Sequence, residues 1–488
     1  VKIVKAAEIP DAEVVVIGSG PNGLSAAITM ARAGCSVVVV EAAEQIGGGA
    51  RSGEATLPGF QHDLCSAVYP LGISSPFFRS LPLREHGLEW VTPPAAVAHP
   101  FDDGTAAVLE GTVEQTARGL GDDARAYKRL VGPLAAEWQS LLDDVLAPPR
   151  IPRHWLNALQ FGSSAVWPAE TLARADFHSE KTRALFAGNA GHSMLPPTKA
   201  FTSGFALTLM AAGHAVGWPF AKGGAQKITD ALASYLRSLG GQFVTGTRVE
   251  SLDELPPAKV VLADITPRQL LRIAGRRLPW MYRRSLRRYR YGMGAFKMDW
   301  ALDGPVPWRA EECRRAGTLH IGGTLEEIAR ADTQAWRGRV PDKPFIIAAQ
   351  PSLFDPSRAP RGRHVLWAYC HVPHGCTTDM SERMEEQIER FAPGFKERIL
   401  ARSSINPAQF EERNSNLVGG DIQAGAPIVS QLFTRPTAAL YATPVRGLYL
   451  CSASTPPGGG VHGMCGYFAA QVALKKMGKQ LADGDDRF

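Results

Sequence analysis

The sequence predicts an α/β fold, a nucleotide-binding domain with a parallel sheet, interrupted by a long inserted α+β domain. Three observations carry this. Residues 13–41 read as a complete strand–helix–strand unit with a glycine-rich turn, a buried strand of the same kind returns at Val260–Ala263, and another precedes the closing helix. The chain has 488 residues, 45% of them apolar and 20% charged, too long for one simple core. The nucleotide domain is expected to be discontinuous, over residues 10–85, 218–270 and 412–485, with 86–217 and 271–411 forming the inserted domain.

Taken in order, Glu13–Ile17 is an apolar, β-branched run short enough for a buried parallel strand. Gly18, Gly20 and Gly23 follow as G-x-G-x-x-G, with Pro21 and Asn22 between the last two. In a Rossmann-like turn the first glycine permits the tight turn, the second lets backbone approach a pyrophosphate, and the third lets the helix pack on the strand. The helix is predicted to run to about Ala33, where Gly34 stops it. Its free N–H groups and positive dipole end face the phosphates, so no lysine is required. Val37–Val40 is the second buried strand, and Glu41, followed by Ala42, lies 23 residues after Gly18, where an acid can accept both ribose hydroxyls of an adenosine. NAD and FAD both satisfy this unit. Gly47, Gly48, Gly49 and Arg51 come next; glycine lets the chain pass close to a pyrophosphate and Arg51 can neutralise it.

Beyond this unit the chain is expected to leave the nucleotide domain near a hairpin-like turn at Asp103, and residues 113–217 read mainly as helices. Two of these, around TRALFAGNAGHSML and SGFALTLMAAGHAVG, are apolar nearly all round and are either core or the wall of an apolar cavity. Gly223 and Gly224 open an amphipathic helix that Gly240 and Gly241 end, and Gln242–Val249 is predicted to be a strand passing by the adenine. Arg268–Gly292 is dense in Arg with apolar residues between; it reads as a solvated helix face or as a membrane-surface patch admitting a lipophilic substrate. AFKMDWAL, PFIIAAQPSLFD and GRHVLWAYCHVPHG predict a mainly antiparallel sheet. Cys370, His371, His374 and Cys376 resemble a metal cluster superficially, but strand neighbours point to opposite faces, so no metal is expected and His371 is either a candidate for the substrate cavity or, at least as readily, a satisfied core histidine.

Composition excludes other classes. A net charge of +6, from 53 basic and 47 acidic residues, does not argue for nucleic acid. Seven scattered cysteines fit a reduced, cytoplasmic enzyme; the first residues show no signal peptide, and no run of about 18 apolar residues is present.

The chain closes on VRGLYLCSASTPPGGGVHGMCGYFAAQVALKKM, a buried strand, a Gly/Pro loop and a helix predicted to begin near His462. With VVVIGSGPNGLSAA, GWPFAKGGAQ, VLADITPRQLL, WAYCHVPHG and NLVGGDIQAGA, this resembles the phytoene desaturase-related FAD oxidoreductases, a group that includes carotenoid desaturases, carotenoid isomerases and the pyridine nucleotide-disulphide oxidoreductase domain 2 proteins. The resemblance implies a Rossmann-like FAD-binding domain of amine oxidase/phytoene desaturase type with an inserted substrate domain. It implies FAD contacts at Gly18, Gly20, Pro21, Asn22, Gly23, Glu41, Ala42, Gly48, Gly49, Arg51, Val249, Ser454, His462, Gly463 and Met464, the last helix end meeting the pyrimidine edge of the flavin. Where many wider relatives carry an Asp after the last strand, this chain has Ser452, Ala453 and Ser454. The implied reaction is dehydrogenation of a hydrophobic isoprenoid or lipid by hydride transfer to flavin N5, with oxygen or a quinone as electron acceptor. Alternatives are a redox-neutral polyene isomerase, a flavin-loaded binding protein, and amine oxidation, which the scatter of Tyr441, Tyr449 and Tyr467 weakens. Candidate bases are His462 and His371. Oligomeric state is left open.

Overall fold

A computed structural model describes residues 9–481. The leader reading of residues 1–8 and the expected domain limit at 485 lie outside them. Five parallel strands form the nucleotide sheet in the spatial order Leu448–Leu450, Val260–Ala263, Val14–Ile17, Val37–Val40 and Gln242–Val244. The two valine-rich central strands are wholly buried because helices cover both faces. Val14 and Val16 join a core with helix Pro21–Arg32 on one face, while Val15 and Ile17 pack with Leu270, Ile273, Leu278 and Leu286 on the other. This second layer therefore continues past residue 270 through helices Pro267–Ala274 and Trp280–Arg287. Strand Val14–Ile17 has Val37–Val40 on one side and Val260–Ala263 on the other, so its carboxyl end is the switch point of the sheet, where a crevice opens.

A seven-stranded sheet runs Ile399–Ile405, Gly294–Leu302, His364–Val372, Ile346–Ala349, Ala316–Ile321, Ala95–Pro100 and Ala106–Glu110. It is antiparallel except where Ala316–Ile321 pairs with Ala95–Pro100, as its mainly antiparallel sequence pattern predicts. Alternation sorts its side chains. Phe296, Met298, Trp300, Leu366 and Ala368 pack with Met384, Ile388 and Phe391 on one face, leaving Ala295, Lys297, Trp367 and Tyr369 on the other. That other face carries helices Glu180–Gly191 and Thr202–Ala215, both buried nearly all round. Close approach needs glycine: a Cβ on Gly188 would stand 2.6 Å from His320 Nδ1.

One local prediction changes. The strand predicted over Gln242–Val249 ends at Val244, because Gly246 takes a left-handed φ of 67° and turns the chain so that Thr247 N–H donates to Glu41 O (2.8 Å). In the arginine-rich stretch Arg268, Arg272 and Arg277 meet Glu411, Glu250 and Asp253, while Trp280 and Met281 remain exposed. Among the described residues no helix is long and apolar enough to cross a membrane.

Candidate functional site

At the switch point, Glu41 binds the glycine turn to the second strand. Its Oε2 accepts from Ser19 N (2.8 Å) and Ser19 Oγ (2.6 Å), and its Oε1 accepts from Ala43 N (2.9 Å). Gly48 has a φ of 56°, and a Cβ there would come 2.9 Å from Gly20 Cα, so the two loops lie in contact. Arg51 Nε donates to Gly48 O (2.9 Å), holding the guanidinium beside the loops. Asp264, just past the neighbouring strand, is buried under them; its Oδ2 accepts from Gly23 N (3.0 Å) in the first turn of the helix. Burial, aided by the Glu41 charge, pushes its carboxyl up to about 7.

A cavity of about 560 Å³ begins here. Gly18, Gly20, Pro21, Asn22, Glu41, Ala42, Gly48, Gly49, Arg51 and Val249 line it, and it extends to a floor of Lys297, Ile347, Trp367 and Tyr369 on the second sheet. Lys297 and Asp299 form a buried ion pair. Burial acts to raise the Asp299 carboxyl, but the Lys297 ammonium and His62 beside it hold it below the usual carboxylate range. A second cavity, about 370 Å³, is mainly apolar, with Leu71, Phe161, Phe205, Leu209 and Trp218 in its wall. The two share Val68, His192, Gln423, Gly460 and Val461.

The remaining expected residues lie elsewhere. Gly23 sits behind the first cavity against Gly18 O. Gly463 and Met464 start helix Met464–Met477, which packs on helix Pro21–Arg32, and line neither cavity. Ser454 Oγ donates to Ala424 O (2.8 Å), bracing a loop, while Ser452 and Ala453 reach the cavity. His462 lines the second cavity; its Nδ1 accepts from Met464 N (3.1 Å), so the neutral ring carries its proton on Nε2, beside the backbone of Gly458 and Gly459. Burial pulls its pKa down to about 4. His371 is the clearest displacement. It follows Tyr369 on the same strand face, but Asp332 of helix Leu325–Trp336 covers it (Nδ1 to Oδ1, 2.8 Å), and it lines neither cavity.

Over residues 16–81 the chain matches the family described as NAD(P)-binding Rossmann-like domain. It is 27% identical to the mouse (Mus musculus) pyridine nucleotide-disulfide oxidoreductase domain-containing protein 2, across 96% of this chain and 94% of that one. It is 26% identical to the neurosporene-forming phytoene desaturase of Rhodobacter capsulatus over 51% of each. The chain is an oxidoreductase similar to the phytoene desaturases. A solved putrescine oxidase variant with redesigned cofactor binding shares the fold, with a TM-score of 0.63 at 15% identity over 96% of this chain and 99% of that one.

In this oxidoreductase the nucleotide end suits a flavin or other nucleotide cofactor. A Cβ on Gly20 would stand 2.7 Å from Asp264 Oδ2, so only bare backbone fits there, and Asn22 Oδ1 on the cavity wall is buried without a partner. Sequence reasoning missed Asp264, Lys297, His192 and Gln423. Asp264 had a signal, since it follows its strand as Glu41 follows Val40. Lys297 and Asp299 had another, two charges on alternate positions of an apolar strand. His192 and Gln423 had none, being assembled from distant segments.

Proposed function

We propose that the chain binds FAD along the first cavity and dehydrogenates a hydrophobic substrate lodged in the second. The junction of the two cavities at His192, Gln423, Gly460 and Val461 carries this reading, because it sets an apolar chamber against the far end of a nucleotide site. The chemistry FAD supplies when bound is hydride acceptance at N5. Glu41 would hold the adenosine ribose, the glycine loops and helix dipole the pyrophosphate, and Arg51 part of its charge. Lys297 puts an ammonium donor on the floor, its charge balanced by Asp299. Phe161, Phe205 and Trp218 keep water from the reacting carbon and orient an apolar chain. Tyr441, Tyr449 and Tyr467 line neither cavity, so the structure supplies no support for an amine cage from them.

We further propose that the substrate arrives from a lipid surface. Helix Trp155–Ala165 presents Phe161 and Ala165 to the second cavity and leaves Trp155, Leu156 and Leu159 exposed, with Arg150 and Arg153 just ahead of it. Polyenes and other lipophilic compounds added to the oxygen-free, flavin-loaded protein test the main reading. Loss of the yellow colour with a product two hydrogens lighter is the expected result. A product of unchanged mass, formed only after prior reduction, favours the isomerase; no change in either redox state contradicts catalysis on these compounds.

A further inference from the structure

A pair of histidines stands where the two cavities meet. His192, the residue after helix Glu180–Gly191, lies over His320 of strand Ala316–Ile321, with Nε2 to Nε2 at 2.9 Å. One nitrogen of such a contact must donate and the other accept. Burial keeps both rings neutral, His192 drawn down to about 3 and His320 well below its ordinary value. His320 Nδ1 is buried with no partner and faces Gly188, where a Cβ would be only 2.6 Å away. A proton there would be an N–H buried without an acceptor, the costlier of the two orphan states. His320 therefore carries its proton on Nε2 and donates to His192, which must carry its own on Nδ1. Among the described residues no hydrogen bond is made to His192 Nδ1, and the edge of Trp218, 5.1 Å away at 90°, fixes the ring.

We infer that the second cavity selects hydrophobic molecules carrying a carbonyl or hydroxyl oxygen, which accepts a hydrogen bond from His192 Nδ1 at the cavity junction. This rests on the reading of that cavity as the substrate chamber. A pure hydrocarbon filling it would leave the N–H unpaired in an apolar wall, which a site built to donate penalises.

Three probes of one skeleton test this, farnesal, farnesol and farnesene, with binding measured to oxidised, flavin-loaded protein without turnover. Replacing His192→Phe should weaken farnesal and farnesol about tenfold and leave farnesene unchanged or tighter, while His192→Asn, which keeps a donor, should restore most of the loss. Equal losses for all three, or none, overturn the proposal. If no probe binds, the chamber assignment and this proposal both fall, whereas the cofactor reading stands as long as FAD remains bound. A second measurement is independent of ligands. In protein with ¹⁵N-labelled histidine, the signal lost in His192→Phe should belong to a ring protonated at Nδ1; a ring protonated at Nε2 overturns the proposal.

Discussion

Asp264 is the residue whose ionisation the fold disturbs most informatively. Its carboxyl titrates near 3.8 ordinarily and is pushed up to about 7 in the folded chain. Folding thus takes up a proton between those values, and its contribution to stability falls as pH rises through that window, being least unfavourable below about pH 4. Asp264→Asn still accepts from Gly23 N and removes this cost. It should be more stable to unfolding than the parent above pH 7, by up to roughly 4 kcal/mol, with the gap closing towards pH 4; a gap independent of pH would contradict the assignment. A bound pyrophosphate would sit near the same carboxyl, so flavin retention should weaken as pH rises through 7 in the parent and not in Asp264→Asn. The place of Glu41 beside the glycine turn was legible in the sequence because it depends on spacing from Gly18 alone. The two readings of His371 could not be separated in sequence, because strand alternation says which face a side chain occupies, and not that Asp332 on a helix 39 residues away in sequence covers it and makes it a core histidine.

Among the elements, the glycine loops and the exposed helix make separate demands. Gly48→Ala forces a side chain into a left-handed φ of 56° and to within 2.9 Å of Gly20 Cα. It should cost roughly 1–3 kcal/mol of stability and at least tenfold in flavin affinity; unaltered flavin content would show that the two loops do not jointly hold the cofactor. Helix Trp155–Ala165 exposes Trp155 at 65% and Leu159 at 67%. Trp155→Ser with Leu159→Ser should leave thermal stability nearly unchanged and reduce co-sedimentation with vesicles containing anionic phospholipid; undiminished sedimentation removes this helix as the contact. The glycine turn, first helix and valine strands were legible because period and punctuation are local. The short strand at Gln242–Val244 was not, since a single left-handed glycine at 246 ends it where the apolar pattern continues.

For the whole molecule, one sheet holds the nucleotide loops and the other forms the cavity floor, so the site exists only where the two face each other. That explains why half of it was invisible in sequence: Lys297, Tyr369, His192 and Gln423 come together through the packing of separate elements, and no spacing rule links them. The cavity running from Glu41 to that floor is proposed to hold FAD. This is tested most directly by unfolding the purified protein and identifying the released nucleotide by mass. FAD in amounts matching the chain is the expected result. A nicotinamide nucleotide alone, or no nucleotide even after incubation with FAD, would contradict it.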